Sequence, residues 1–177
     1  MRVREATAAD APAIARVHVD WRKGYLAGLL QPDDLALLSE AESAEYWRAA
    51  LARQGTSGSS TLVLEDDAGR VVGVASGGPA RDPALGYDGE LYDLFVVNLP
   101  GHELEDEGRR RLVRGVAARL QQAGARSMVA WGLDGGLTCS VYLSMGGARL
   151  DEVDLKLLFG LRYAPYGWQD IRELAGV

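Results

Sequence analysis

The chain has 177 residues, 47% of them hydrophobic and 25% charged, with a net charge of −6 and one cysteine. That length suits one domain with a full core, and the composition is that of a soluble globular protein. The acidic balance argues against nucleic acid and favours a neutral or cationic small partner; lone Cys139 rules out a disulfide framework and fits a reducing cytoplasm, and neither a membrane span nor a signal peptide is legible.

The chain opens with "RVREA", an alternating stretch that predicts a short first strand. Thr7 followed by Asp10 resembles a capping box and opens a helix over residues 8–30, with Ile14, Val17, His18 and Trp21 on one stripe. Pro32 starts a short helix, "PDDLALL", and "EAESAEYWRAALAR" predicts a longer amphipathic one over 40–53. After the connector "GTSGSS", the segments "TLVLE" and "VVGVASGGPA" flank the turn "DDAGR" as a hairpin. "GELYDLFVV" is apolar almost throughout and predicts a central strand. "EDEGRRRLVRGVAARLQQAG" predicts a helix over 105–124, with Leu112, Val113, Val116, Ala117 and Leu120 as its buried stripe. A strand "RSMVAWGL", a short helix "LTCSVYLSMGG" and a strand pair within "ARLDEVDLKLLFGLRYAPYGW" complete the chain. The order β-α-α-β-β-β-α-β-α-β-β describes an α/β (α+β) domain over 1–177, with a mixed, mostly antiparallel central sheet flanked by helices.

Metal and nucleophile chemistry fall away. "HELED" lacks the second histidine of the zinc word HExxH, and no metal is expected. His18 reads as a packed or surface histidine and Cys139 as a small buried thiol. No G-x-S-x-G elbow, P-loop or G-x-G-x-x-G is present.

The order of these words resembles the GNAT superfamily, the GCN5-related N-acetyltransferases. "VHVDWRKGYLAGLLQPDDL", "GRVVGVASGGPARD", "GELYDLFVV", "GRRRLVRGVAARLQQAG", "SMVAWGL", "VYLSMGGARL" and "APYGWQDI" are similar in turn to its successive segments, over almost the whole chain. The resemblance implies an acetyl-CoA-dependent N-acetyltransferase that acts on the amine of a small molecule by direct attack on the thioester. It implies that Phe95, Val96 and Val97 hold the pantetheine arm through main-chain hydrogen bonds. It places the pyrophosphate at Leu104, Glu105, Asp106, Glu107, Gly108 and Arg109, where a helix N-terminus meets a glycine-rich corner. Tyr142 matches the tyrosine that protonates the coenzyme A sulfur, and Glu90 the carboxylate that relays a proton from the amine. Around Gly135 and Gly136 an asparagine of relatives is replaced.

At the corner itself this chain departs from the family word Gln/Arg-x-x-Gly-x-Gly/Ala: residues 103–108 read "ELEDEG". One account is a capped helix, since Glu105, Asp106 and Glu107 stand four residues ahead of Arg109, Arg110 and Arg111. Another is a damaged site. Unit charges 4 Å apart interact by about 4 kcal/mol at an effective dielectric near 20, against about 8 kcal/mol for micromolar binding. That second account gives the alternative function, a non-catalytic GNAT-like binding module that has lost coenzyme A.

Aromatic residues Trp21, Tyr25 and Tyr92 are candidates for the acceptor pocket, with core packing as the other reading. The paired C-terminal strands offer an edge for a homodimer.

Overall fold

The structure is a computed structural model that describes residues 1–25, 39–56, 58–97, 99–158 and 160–174. The expected helix "PDDLALL" and the end of the first helix lie outside the described residues. The strands are β1 (Arg2–Glu5), β2 (Ser60–Glu65), β3 (Val71–Pro79), β4 (Gly89–Val96), β5 (Met128–Leu133), β6 (Ala148–Arg149), β7 (Lys156–Leu158) and β8 (Leu161–Trp168). The helices are α1 (Ala11–Tyr25), α2 (Glu40–Arg53), α3 (His102–Gln122) and α4 (Leu137–Ser144). No helix among the described residues is long and apolar enough to cross a membrane.

The strands form one sheet in the order β1-β2-β3-β4-β5-β8-β6, with β7 also on β8. Every pairing is antiparallel except β4 with β5. Period-2 alternation sorts the side chains of β2 to the two faces. Leu62 and Leu64 join Leu112, Val113, Val116 and Leu120 of α3 on one side, while Val63 joins Ile14 and Val17 of α1 and Trp47 of α2 on the other. Burial on both faces is why these strands read as apolar runs.

Helix α3 sits close to the sheet because glycines make room for its stripe. A Cβ at Gly73 would stand 3.1 Å from Leu112, one at Gly77 2.5 Å from Val116, and one at Gly89 2.8 Å from Leu120. These three helix residues are four apart, so each turn of the stripe has its own gap in the sheet. The fit is reciprocal: a Cβ at Gly108 would meet Leu64 at 2.8 Å and one at Gly115 would meet Leu62 at 2.7 Å.

Three local boundaries differ from the sequence pattern. The first helix begins as a 3-10 turn, Ala8–Asp10, whose Asp10 carboxylate accepts from the Thr7 amide and hydroxyl and from both arms of the Arg4 guanidinium. The C-terminal "strand pair" is three strands, since "DEVD" lies in a turn and bend between β6 and β7. Finally, α3 starts at His102, three residues ahead of the expected position. Its N-cap is Gly101 at φ +90°, a backbone state that needs glycine and carries no side-chain cap to announce it.

Candidate active site

The parallel pairing of β4 with β5 is short: Gly89↔Met128, Glu90↔Val129 and Leu91↔Ala130. Beyond it the strands part, and β5 continues on β8 as far as Leu133↔Tyr163. A cleft of about 160 Å³ opens there, walled by Trp21 and Tyr25 of α1, Tyr92, Asp93 and Phe95 of β4, Trp131 of β5, Tyr142 of α4 and Tyr163 of β8. The Val97 amide donates to the Val72 carbonyl at 2.9 Å. By antiparallel alternation Val97 and Phe95 therefore bond toward β3, and the peptide groups of Leu94 and Val96 face the opening. The strand thus presents an unpaired edge to the cleft.

Register makes the site. Ser76 pairs with Asp93 but Gly77 pairs with Leu91, so Tyr92 is an extra residue in β4, a β-bulge. It brings Tyr92 and Asp93, neighbours in sequence, to the same cleft. Asp93 accepts a hydrogen bond from the Ser76 hydroxyl at 2.5 Å. Burial pushes its carboxyl above the usual range, against the opposing pull of Ser76 and of the Arg81 and Arg22 charges. Asp93 was not among the residues singled out from sequence. Its signal was there: a single carboxylate inside "LYDLF", a run that is otherwise apolar or aromatic, has to be compensated when buried.

Glu90 is placed differently. It is 1% exposed, and both carboxylate oxygens are engaged by Arg81, one by the guanidinium at 2.6 Å and one by the backbone amide at 2.9 Å. It fastens the segment after β3 to β4 and is not among the residues that wall the cleft. Tyr92 donates its hydroxyl to the Pro79 carbonyl at 2.6 Å, with the Arg81 guanidinium 4.5 Å over its ring.

Tyr142 is 2% exposed, its ring 5.6 Å from both Tyr166 and Trp168. Burial drives its pKa far up, aided by Cys139 and Tyr25 and opposed by the charge of Arg109, so the phenol keeps its proton at neutral pH. Gly132 lets α4 approach β5 this closely, since a Cβ there would stand 2.8 Å from Cys139 Sγ. The Cys139 thiol donates to the Leu133 carbonyl at 3.0 Å, an inward structural contact.

On the α1 side, Trp21 stacks on Tyr25 at 4.7 Å and leans on Phe95 at 4.8 Å. The Tyr25 hydroxyl is buried, without a hydrogen-bond partner among the described residues. It rests on the N-terminus of α4, where a Cβ at Gly136 would stand 2.1 Å away. His18 stacks on Phe95 at 4.7 Å. Its Nδ1 is 3.4 Å from the Trp47 indole nitrogen, which can only donate, so Nδ1 accepts and the ring proton lies on Nε2. The Ser43 hydroxyl is 2.9 Å from the same nitrogen. Burial, aided by Arg22, lowers the His18 pKa to about 4.

At the strand-to-helix corner, residues 103–108 all lie inside α3. The Glu105 amide donates to the Gly101 carbonyl at 3.3 Å, so helix bonding begins there and, among the described residues, the amides of His102, Glu103 and Leu104 have no helical partner. The acidic side chains are committed one turn on. Arg109, 3% exposed, bonds Asp106 at 2.8 Å and Glu105 at 3.1 Å, and Arg111 bonds Glu107 at 2.8 Å. Gly108 serves the packing on Leu64 described above. Among the described residues no three His, Cys, Asp or Glu side chains are grouped as a metal ion would need.

No protein-family model matches the chain. It is 33% identical over 174 residues to "Uncharacterized N-acetyltransferase YuaI" of Bacillus subtilis (strain 168), covering 97% of this chain and 95% of that protein. Among solved structures, ribosomal-protein-alanine N-acetyltransferase from Brucella melitensis superimposes with a TM-score of 0.69 at 24% identity, over 95% of this chain and 99% of that one. PaiA N-acetyltransferase from Thermoplasma acidophilum, solved in complex with coenzyme A, gives 0.70 at 14% identity, over 94% and 98%. At these identities the two structures speak for the fold alone.

Proposed function

The chain belongs to the GNAT superfamily of N-acetyltransferases, and from that premise we propose that it transfers an acetyl group from acetyl-CoA to the amine of a small molecule. The observation that carries this reading is the parting of β4 from β5 with a protonated phenol, Tyr142, and a carboxylate, Asp93, on the walls of the opening.

The residues present fit the pantetheine arm. An extended amide chain can lie along β4 and pair with the open peptide groups of Leu94 and Val96, a contact that depends on backbone alone. The diphosphate has a narrower footing: the three open amides of His102, Glu103 and Leu104, with the positive end of the α3 dipole behind them. Glu105 and Asp106 share Arg109 and Glu107 pairs with Arg111, so these three carboxylates are held in ion pairs, and the acidic side chain in line with those amides is the exposed Glu103.

When bound, acetyl-CoA supplies the acyl group as an activated thioester. Asp93 takes a proton from the entering ammonium at Oδ1 or Oδ2, which burial makes a better acceptor than an exposed aspartate. Tyr142 would give its phenolic proton to the departing sulfur and recover one from the nitrogen as the amide forms. We assign Glu90 a fastening role through Arg81 rather than proton relay. Trp21, Tyr25, Tyr92 and Trp131 exclude water and offer ring faces to a cationic amine, for which a carboxylate in an aromatic cleft is a suitable receptor.

One feature favours the second reading, a non-catalytic binding module. The amides of residues 105–108 are spent on the helix and the corner has no Gly-x-Gly pair. Calorimetric titration with acetyl-CoA, followed by mass analysis of a panel of primary amines, decides. Micromolar binding with acetylated product is expected; absence of both heat and product across the panel establishes the binding module.

A further inference from the structure

Tyr163 walls the cleft, and two residues lie directly opposite it in the sheet: Leu133 on β5 and Lys156 on β7. Cross-strand partners project from the same face, so Lys156 shares the face of Leu133 and hence of Trp131, two residues before it. The Lys156 ammonium sits 3.7 Å from the centre of the Trp131 ring, which is itself a cleft wall. The Trp131 indole N–H is buried there without a hydrogen-bond partner among the described residues.

The chain has few primary amines: the Met1 terminus, Lys23 and Lys156. The terminus is paired with Asp67 at 2.6 Å, and Lys23 lies on the exposed side of α1. Lys156 is the one set against a cleft wall. Partial burial lowers its pKa, with Glu90 and Asp82 opposing that and Arg81 aiding it, so a larger share of this amine is uncharged than of an ordinary lysine.

Resting on the acetyltransferase reading, we propose that Lys156 is a self-acylation site: with no acceptor in the cleft, its amine swings off Trp131 and takes the acyl group of the bound thioester. The ammonium first releases one proton to solvent. The Nζ lone pair then forms a C–N bond to the acyl carbon while the C–S bond breaks, its electrons going to sulfur. The second nitrogen proton passes to that sulfur, leaving a neutral amide and a free thiol. The product carries no charge, so Trp131 loses its resident cation and the acceptor end of the cleft changes chemistry. The modification would record exposure to acyl thioester without acceptor.

The test incubates the full chain with acetyl-CoA alone and maps the product by intact mass and peptide analysis, with acetyl-CoA thermal shift measured in parallel. Expected is one acetyl group, on Lys156, formed at least tenfold faster than on Lys23, at a rate that saturates with acetyl-CoA and does not change on dilution of the protein. In unfolding urea the two lysines should label alike, and Lys156→Arg should remove the fast phase. A readout independent of turnover is NMR of the reductively dimethylated lysines, where Lys156 should show a ring-current shift that Lys23 lacks. A thermal shift with Lys156 unlabelled, equal labelling of both lysines in the folded chain, or no ring-current shift overturns self-acylation alone. Absence of any thermal shift together with absence of label overturns the acetyltransferase reading with it.

Discussion

Burial raises the pKa of both Tyr142 and Asp93, with opposite consequences for chemistry. On the proposed mechanism it secures for the phenol the proton that a leaving thiolate needs, and Tyr142→Phe, which keeps the ring packed on Tyr166 and Trp168, should lower kcat about 100-fold with little change in KM for acetyl-CoA. Steady-state kinetics checks this. For the carboxyl, a raised folded pKa means that the folded chain binds the proton more readily than the unfolded chain does. Its contribution to stability is therefore complete below the unfolded value of about 3.9 and is lost as pH rises through the folded value. Wherever it is charged, Asp93 weakens the fold. Asp93→Asn should then melt at a higher temperature than the parent while losing most of kcat and the acidic limb of the kcat/KM profile; scanning calorimetry and a pH–rate series read both. Of these two groups only Tyr142 could be picked out by its word, "VYLSMGG". Asp93 escaped because its place on the cleft is set by register, which a linear pattern does not display.

Helices α1 and α2 are joined through His18, whose Nδ1 accepts from Trp47 and lies within hydrogen-bond distance of Ser43. Protonation would turn this acceptor into a donor facing a donor. With a folded pKa of about 4 against about 6.5 unfolded, stability should be lost progressively as pH falls from 6.5 toward 4, by up to about 3 kcal/mol. Comparing melting temperatures of the parent and His18→Gln across that window checks it: the variant should show the shallower slope. The contact of α3 with the sheet is the second joint. Gly77→Ala would set a methyl 2.5 Å from Val116 and 2.9 Å from the Glu90 carbonyl oxygen, and should cost about 1–3 kcal/mol by denaturant titration. Elements with strong periodicity and ordinary caps were legible: α2 spans 40–53 as its pattern predicts, with Ser39 accepting from the Glu42 amide. The start of α3 was not, because its N-cap is a glycine with no side-chain cap to announce it, and His102, Glu103 and Leu104 extend the helix ahead of the expected start at Glu105.

For the whole molecule, the order of segments predicted a mixed, mostly antiparallel sheet between helices, and the structure has that architecture. Each apolar run could be assigned to a strand without knowing its neighbours, whereas the parting of β4 from β5 arises between segments more than thirty residues apart and has no local signature. A ligand that bridges β4 and α3 should therefore stabilise the fold as a unit. Acetyl-CoA at 100 times its Kd should contribute about 2.7 kcal/mol, a rise in Tm of roughly 5–10 °C for a chain of this size; differential scanning fluorimetry measures it. The extra residue in β4 bears on how such a chain can change over time. Strand residues obey parity, and Leu91 and Asp93 already lie on opposite faces, so removing Tyr92 would restore strict alternation with Asp93 still opposite Ser76 and Leu91 still opposite Gly77, and would take one aromatic wall from the cleft. Substitutions can vary this site by degrees, but a loss of one codon there would remove a whole wall and straighten the strand in a single event while leaving the register of the sheet intact.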